Sequence, residues 1–195
     1  MPSDQGSTPG PYRPPLGDRL RRYSRRELLD RLHELLQPAG CRLLDMGGGS
    51  GVTTVEFAKG AREVYVLEPD PRKTERGVRA GAPVTFVNAF AEEIPFDAGR
   101  FDRAVSLMSF HHFSDGTKAC REAARVLAPG GRFVIYDIPR SSFHARWLSL
   151  FASHRGHSPL RFVTSEELAR RLSEAGFRSV RTEPYRSGAF VVGER

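Results

Sequence analysis

The stretch that decides the fold is residues 43–51, which read Leu-Leu-Asp-Met-Gly-Gly-Gly-Ser-Gly. The two leucines are typical of a short buried strand, and the glycines directly after them predict a sharp turn into a helix. Because glycine has no Cβ, such a turn lets the backbone come close to a ligand. Seventeen residues after Gly51, a second apolar run at 64–67 ends in Glu68. A carboxylate at the end of the second strand of a β-α-β unit is placed to bind ribose hydroxyls.

The spacing of the glycines argues against three other known motifs in which a glycine-containing turn joins a strand to a helix. The dinucleotide fingerprint G-x-G-x-x-G/A, counted from Gly47, needs a small residue at position 52, which is Val52. The same residue breaks the nucleophile-elbow pattern G-x-S-x-G around Ser50. The phosphate-binding loop needs Gly-Lys-Ser/Thr, which the stretch lacks. What remains is Asp-x-Gly-x-Gly-x-Gly, beginning at Asp45.

Four further stretches follow in order. They read Val-Leu-Glu-Pro-Asp at 66–70, Ala-Glu-Glu-Ile-Pro-Phe at 91–96, Phe-Asp-Arg-Ala-Val-Ser-Leu-Met-Ser-Phe-His-His-Phe at 101–113 and Glu-Ala-Ala-Arg-Val-Leu-Ala-Pro-Gly-Gly-Arg-Phe-Val-Ile at 122–135. Together with the glycine loop, these four stretches occur in the order typical of the class I S-adenosylmethionine-dependent methyltransferases, and most of residues 24–195 resembles that family. Within these the chain is similar to the small-molecule branch of the ubiquinone and menaquinone C-methyltransferases (methyltransferase type 11). The resemblance implies transfer of a methyl group from S-adenosylmethionine to a small organic or amphipathic acceptor.

Apolar runs and helical patterns alternate from residue 42 onward. Strands are predicted near 42–46, 63–67, 84–88, 102–107 and 132–137, helices near 51–59, 71–79, 115–127 and 164–175, and a closing pair of strands at 177–182 and 189–192. Strands separated by helices of this length predict parallel β-α-β units with right-handed crossovers. The resemblance adds an antiparallel strand near one edge. We therefore expect an α/β fold, a single doubly wound, mostly parallel seven-stranded Rossmann-like sheet with helices on both faces.

The N-terminal part has a different composition. Residues 1–17 hold five Pro and three Gly, which predicts a flexible arm. Ser24 and Glu27 have the spacing of a capping box, which predicts a helix that begins near Ser24 and ends before Pro38. The rest of the chain, 18–195, is expected to form one methyltransferase domain. By the resemblance, the N-terminal helix (18–37) and an insertion at 139–163 form a lid over the substrate.

The chain is basic, with a formal net charge of +7. Residues 140–162 contain four Arg, three His and no Asp or Glu. This local positive field suits an anionic acceptor, an acidic membrane surface or nucleic acid, although a solvated basic helix would have the same composition. The basic charge leaves an RNA-directed methyltransferase open as one alternative to a small-molecule enzyme. A non-catalytic protein that binds S-adenosylmethionine is the other, and its clues are Phe90 and the lack of a decisive catalytic base.

Other features of the sequence bear on membrane insertion, secretion and metal binding. The sequence contains no run of 18 apolar residues, so no membrane span is predicted. The N-terminus lacks the apolar core of a secretory signal. Cys41 and Cys120 lack the spacing of a metal site, and His154-x-x-His157 has no Cys, Asp or Glu beside it, so we expect no metal. We expect a cytoplasmic monomer or homodimer.

The cofactor-binding residues that the resemblance implies lie at the ends of the first four strands: Asp45, Gly47, Gly48, Gly49, Glu68, Pro69, Ala89, Phe90, Ser106 and Met108. The glycines would lie along the methionine part of the cofactor, with Asp45 holding the loop and orienting the amino group. Glu68 would bind the ribose hydroxyls, and the backbone near Ala89 would face the adenine. Ser106 and Met108, at the end of the fourth strand, would lie near the sulfonium.

Phe90 departs from the family pattern. The resembling enzymes usually read Gly-Asp-Ala where this chain reads Ala89-Phe90-Ala91, and their Asp accepts a hydrogen bond from the adenine amino group. Our hypothesis is that Phe90 packs against the adenine while Asn88 or the backbone meets its polar edge. In the alternative, Phe90 turns into the core.

His111 and His112 are the candidate catalytic residues. They follow the fourth strand, where the resembling enzymes often carry a His pair. An ordinary His pKa near 6.5 suits a general base at neutral pH if the acceptor must lose a proton. The alternative for each is a structural role, in packing or in capping the next helix.

Overall fold

The structure is a computed structural model that describes residues 16–138 and 161–195, with side chains from Arg25 onward. Within them lie five α-helices and seven strands. The helices are α1 (Leu16–Leu36), α2 (Val52–Phe57), α3 (Pro71–Arg79), α4 (Gly116–Val126) and α5 (Ser165–Glu174). The strands are β1 (Arg42–Met46), β2 (Glu63–Leu67), β3 (Thr85–Val87), β4 (Phe101–Leu107), β5 (Leu127–Asp137), β6 (Arg178–Tyr185) and β7 (Gly188–Glu194). A 3-10 turn (Phe110–His112) follows β4.

The seven strands form one sheet in the order β3-β2-β1-β4-β5-β7-β6. β1 to β5 are parallel, and β7 runs antiparallel to both β5 and β6. The expected doubly wound sheet with an antiparallel strand near one edge is thereby confirmed. The strand order reverses between β1 and β4, because the chain runs outward from β1 to β3 and then returns to the other side of β1. In sheets of this type, ligands bind beyond the carboxyl ends of the strands at such a reversal.

Both faces of the sheet are covered by helices. In β1, Leu43 packs in a cluster with Leu32 of α1 and Phe57 of α2, whereas Leu44 packs in a cluster with Leu168 of α5 on the opposite face. Both β1 leucines are completely buried. Consecutive apolar residues rather than an alternating pattern are what a strand buried on both faces requires, and this explains the apolar run that ends at the glycine loop.

The predicted start of the first helix is wrong. Helix α1 begins at Leu16, and Ser24 lies inside it. Residues 18–23 contain no Pro or Gly and include Leu and Arg, which favour helix, so the helix extends past the capping-box pattern. Leu16 and Gly17, expected in the arm, therefore belong to α1. The remainder of the arm (1–15) and residues 139–160 of the expected insertion, with most of the basic stretch, lie outside the described residues.

The predicted start of the fifth strand is also wrong. β5 begins at Leu127, which pairs with Phe101 of β4. The pairing then shifts, so that Arg103 lies opposite Arg132 and the Pro-Gly-Gly of residues 129–131 forms an irregular bulge in the strand. The prediction missed this because Pro-Gly-Gly is typical of a turn between elements.

The remaining elements agree with the sequence predictions to within a few residues. Thr164 caps α5 by accepting a hydrogen bond from the N–H of Glu167 at 3.1 Å. The closing strands form the antiparallel pair β6 and β7. In residues 16–138 and 161–195 no helix is long and apolar enough to cross a membrane.

Candidate cofactor cleft and acceptor site

The glycine loop after β1 is fixed from both sides at the reversal point. The N–H of Gly47 donates to the carbonyl oxygen of Leu67, at the end of β2, over 2.7 Å. On the other side, the hydroxyl of Ser109, just after β4, donates to the carbonyl oxygen of Met46 over 2.7 Å. A Cβ on Gly47 would lie only 2.7 Å from the Cβ of Ser109, so the close packing of the two segments requires glycine.

Asp45 is buried directly beneath this loop. It is 2 % exposed, and its Oδ2 accepts a hydrogen bond from the hydroxyl of Thr54 in α2 at 2.6 Å. A Cβ on Gly48 would overlap the same oxygen. Oδ1 of Asp45 has no hydrogen-bond partner among the described residues. Burial raises the pKa of Asp45 to about 7, against the effect of the Thr54 hydrogen bond and with a smaller contribution from the charge of Glu68.

Glu68 reaches from the end of β2 back to the glycine loop. Its side chain is almost completely buried, and Oε2 accepts from the N–H of Gly49 at 3.2 Å. Oε1 accepts from the N–H of Asp70 at 3.1 Å and from Nζ of Lys73 at 3.2 Å. Gly49 borders open space, since no described atom outside its chain neighbours lies within 4 Å of the place where its Cβ would be. Pro69, next to Glu68, is exposed.

The exit of β3 presents one aromatic and one amide side chain. Ala89 is half-buried and packs against the core, whereas Phe90 is 64 % exposed, so its ring stays outside the core. The exposed Asn88 donates from Nδ2 to the carbonyl oxygen of Glu68 and to the hydroxyl of Thr74. These contacts join the end of β3 to the end of β2.

The two residues expected near the sulfonium lie in different environments. Met108 is 37 % exposed and has a positive φ of 53°, with its N–H donating to the carbonyl oxygen of Tyr136 at 2.8 Å. Ser106 is completely buried, and its hydroxyl lies 2.7 Å from that of Ser109. Ser106 therefore supports the contact between the β4 exit and the glycine loop from within the core.

The first histidine of the pair is held by a carboxylate. Nδ1 of His111 lies 2.7 Å from Oδ1 of Asp137, at the end of β5, and the His111 N–H donates to Oδ2 at 3.0 Å. An ionised carboxylate can only accept, so Nδ1 carries the proton and Nε2 is the basic nitrogen of the neutral ring. The His111 ring is buried and stacks on Phe162, with centroids 4.8 Å apart. The N–H of Arg161 donates to the His111 carbonyl oxygen at 2.8 Å.

The second histidine faces solvent and is coupled electrostatically to the cofactor side. Partial burial and the nearby positive charges of His111 and Lys73 lower the pKa of His112, while Asp137 and Glu68 act in the opposite direction. The His112 ring centroid lies 4.2 Å from that of His111. The charges of Lys73 and Glu68 at the end of β2 thus act on the His112 ring in opposite directions.

A shallow pocket lies beside the first histidine. Its polar lining includes His111, Asp137 and Arg161 together with two hydroxyl side chains of residues 164 and 165, and its apolar walls include Phe110, Ile138, Phe162, Leu168 and Val191. Within residues 16–138 and 161–195, this pocket included, the structure shows no group of three or more Cys, His, Asp or Glu side chains that could hold a metal ion. The pocket encloses only about 10 Å³, room for roughly one water molecule, next to the oriented imidazole.

The comparisons with known proteins agree with this architecture. The family model described as "Methyltransferase domain" matches residues 20–182 of the chain. The chain belongs to this methyltransferase family. The 2-methyl-6-phytyl-1,4-hydroquinone methyltransferase 1 of Oryza sativa subsp. japonica, described as chloroplastic, is 30% identical to this methyltransferase over 161 residues, which is 78% of this chain and 47% of the relative.

Two further matches extend the comparison. The 27-O-demethylrifamycin SV methyltransferase of Amycolatopsis mediterranei is 38% identical over 119 residues, covering 56% of this chain and 43% of that protein. The crystal structure of the YcgJ protein of Bacillus subtilis superposes with a TM-score of 0.70 at 26% identity and covers 84% of this chain and 71% of that one. This methyltransferase spans less than half the length of the rice and Amycolatopsis relatives. The comparisons confirm the expected family, fold and cofactor, and they give no support to the RNA-directed or non-catalytic alternatives.

The residues of this methyltransferase at the reversal point fit S-adenosylmethionine. The cofactor has an ammonium group, a sulfonium and a ribose with two hydroxyls, all of which seek acceptors or negative charge. Asp45 has a buried oxygen without a hydrogen-bond partner among the described residues, and Glu68 has a buried carboxylate. Gly49 leaves open space beside the loop. A buried oxygen without a partner is unfavourable, so Oδ1 of Asp45 is a reason to expect a donor group of a ligand there, whereas Glu68 already accepts from Gly49, Asp70 and Lys73.

Three important side chains of this methyltransferase escaped the sequence analysis. Asp137 could have been found, because it ends the apolar run of β5 just as Glu68 ends that of β2. Lys73 and Thr54 lie in helices, and nothing in their local sequence indicates that they reach Glu68 and Asp45. Their roles depend on how α2 and α3 pack back onto the sheet.

Proposed function

We propose that this chain catalyses transfer of the methyl group of S-adenosylmethionine to a small organic acceptor through a hydroxyl or an acidic carbon. The observation that carries the proposal is that the glycine loop is held on one side by Glu68 and the residue before it on the other side by Ser109, two residues before a histidine that Asp137 orients. The named acceptors of two relatives, a hydroquinone and a 27-O-demethylrifamycin, are organic molecules, and they favour a small-molecule acceptor over nucleic acid.

The cofactor, when bound, supplies a methyl group on a positively charged sulfur. The task of the protein is to align the acceptor with that group and to exclude water, which accounts for much of the rate in such transfers. Asp45, Gly47, Gly48 and Gly49 would hold the methionine part, and Glu68 the ribose. Met108 would face the reacting centre, with Ser106 supporting it from the core.

His111 is the favoured general base. Asp137 holds its ring by Nδ1, which leaves Nε2 to take the proton of an acceptor hydroxyl, and the carboxylate stabilises the imidazolium that results. Base catalysis of this kind contributes roughly 10²–10⁴-fold in rate. His112 is the second candidate, because its lowered pKa keeps it neutral at pH 7, but no described carboxylate orients its ring.

The described end of the insertion, from residue 161, supports a lid role for residues 139–163. Arg161 is hydrogen-bonded to the His111 backbone, and Phe162 stacks on the His111 ring. A covering segment anchored at this place would exclude water from the pocket. The proposed organisation is one domain that includes α1, with α1 as the other part of the lid.

Binding and turnover can be tested in sequence. A thermal-shift screen should first show that S-adenosylmethionine raises the melting temperature, because a ligand that binds only the folded state stabilises it. Phenols, hydroquinones and organic acids are then screened in the presence of S-adenosylhomocysteine, and hits are incubated with methyl-labelled S-adenosylmethionine. Label in an acceptor supports the proposal. Cofactor binding without transfer to any component of a metabolite extract would contradict it.

A further inference from the structure

The buried carboxylate of Glu68 accepts hydrogen bonds unevenly on its two oxygens. Among the described residues, Oε2 accepts only from the N–H of Gly49, at 3.2 Å. Oε1 accepts both from the N–H of Asp70 at 3.1 Å and from Nζ of Lys73 at 3.2 Å. A carboxylate offers about four acceptor sites, which are shared equally between its oxygens. Oε1 is therefore filled, and one acceptor site stays open on Oε2.

Lys73 is the donor of this group that can leave most easily. The N–H groups of Gly49 and Asp70 belong to the main chain, and the side chain of Asp70 fixes its own segment by capping α3. The Lys73 side chain, in contrast, is 52 % exposed. Its 3.2 Å contact with Oε1 is also longer than the roughly 2.7–2.9 Å usual between an ammonium and a carboxylate. An exposed pair of this kind costs little to separate, because water solvates the released ammonium.

The ribose of the cofactor brings two neighbouring hydroxyls to this carboxylate. The open site on Oε2 can accept a hydrogen bond from one of them. The other hydroxyl needs Oε1, where Lys73 already donates. Since both acceptor sites of Oε1 are used, the hydroxyl and the ammonium exclude each other at this atom.

We propose that Lys73 occupies the second ribose site of Glu68 before the cofactor binds and gives it up to a ribose hydroxyl. This inference rests on the proposed role of Glu68 in holding the ribose. Lys73 stabilises the buried carboxylate until the hydroxyl replaces it, and it lowers the affinity for the cofactor by the free energy of its own contact. Lys73 therefore determines how much the second hydroxyl contributes to binding.

The test measures binding of S-adenosylhomocysteine, which carries no sulfonium charge, by calorimetry. Lys73→Met removes the ammonium and keeps an unbranched apolar side chain. We expect this variant to bind roughly 2- to 5-fold more tightly than the wild type, the value of one exposed ion pair. The advantage should shrink as NaCl rises from about 50 to about 500 mM, because salt screens the contact between Lys73 and Glu68. Lys59→Met is the matched control and should bind as the wild type does, since Lys59 is exposed and follows the end of α2 that is remote from the glycine loop.

Two analogues separate competition for Oε1 from a general effect of the lysine charge. They are the 2′-deoxy and 3′-deoxy forms of S-adenosylhomocysteine, each of which has one ribose hydroxyl. An analogue whose hydroxyl uses the open site on Oε2 leaves Lys73 in place. Lys73→Met should therefore bind at least one of the two analogues no more tightly than the wild type does.

The outcomes separate the role of Lys73 from the proposed function. Equal or weaker binding of S-adenosylhomocysteine by Lys73→Met would overturn that role while leaving the cofactor site intact. An advantage that does not change with salt, or that is kept in full with both analogues, would also overturn it. Failure of the wild type to bind S-adenosylhomocysteine at all would overturn the proposed function, and the inference with it.

Discussion

Asp45 makes the stability of this methyltransferase depend on pH in the direction opposite to that of a salt-bridged aspartate. Its pKa is about 7 in the folded protein against 3.8 as the ordinary value, because the carboxyl group is buried. The folded protein therefore holds the proton more tightly than the unfolded chain does. The resulting stabilisation is fully present below pH 3.8 and is lost as the pH rises through 7. At roughly 1.4 kcal/mol per pH unit, the whole effect amounts to about 4 kcal/mol, of which about 3 kcal/mol lies above pH 5.

The variant Asp45→Asn removes this ionisation with little change in shape. Urea unfolding of both proteins between about pH 5 and about pH 8 gives the free energy of unfolding at each pH. The wild-type value minus the variant value should fall by about 3 kcal/mol across that range. The exposed Asp97→Asn variant, as a control, should follow the wild type. A difference between wild type and Asp45→Asn that stays constant with pH would show that the carboxyl group is not protonated in the folded state.

The remaining predictions concern catalysis and the cofactor loop. Asp137→Asn should lower kcat by roughly 10²–10⁴-fold with little change in the affinity for S-adenosylmethionine, because it removes the charge that orients and stabilises the His111 ring; steady-state kinetics with calorimetry will measure both. His111→Ala should match that loss while His112→Ala keeps most of the turnover, and full activity in both variants would reject base catalysis by the pair. Gly48→Ala should weaken binding of S-adenosylmethionine by more than tenfold in calorimetry, since its Cβ would overlap the Asp45 carboxylate. Phe90→Ala should weaken cofactor binding by about 0.5–1.5 kcal/mol, and an unchanged affinity would remove its stacking role.

The sequence predicts most of the sheet because its strands carry strong local signals. β1 and β2 are buried apolar runs with a glycine loop or a carboxylate at their ends, and their predicted bounds match the structure. The errors lie where local signals conflict with the context. The capping-box pattern at Ser24 is overridden by the helix-forming residues before it, and Pro-Gly-Gly is accommodated as a bulge because β5 has neighbours on both sides.

The candidate site is less predictable, because its essential contacts join residues far apart in the chain. The pairing of His111 with Asp137 depends on the exits of β4 and β5 meeting at one edge, and neither residue indicates it alone. Ser106 shows that a residue at a predicted site position can also be turned away from the site. Its position at the end of β4 suggests a place near the cofactor, yet the sheet geometry turns its hydroxyl inward to Ser109. Which face a residue at a strand end presents is settled by packing, not by its place in a motif.

The central claim is that the glycine loop and Glu68 bind the adenosyl part of S-adenosylmethionine. Calorimetric titration of the wild type, of Glu68→Gln and of the surface control Glu56→Gln with S-adenosylhomocysteine tests it most directly. We predict saturable binding to the wild type and the control, and at least tenfold weaker binding to Glu68→Gln, because charged hydrogen bonds to ribose contribute about 1.5–3 kcal/mol. Equal affinity in all three proteins, or no binding to the wild type, would contradict the account.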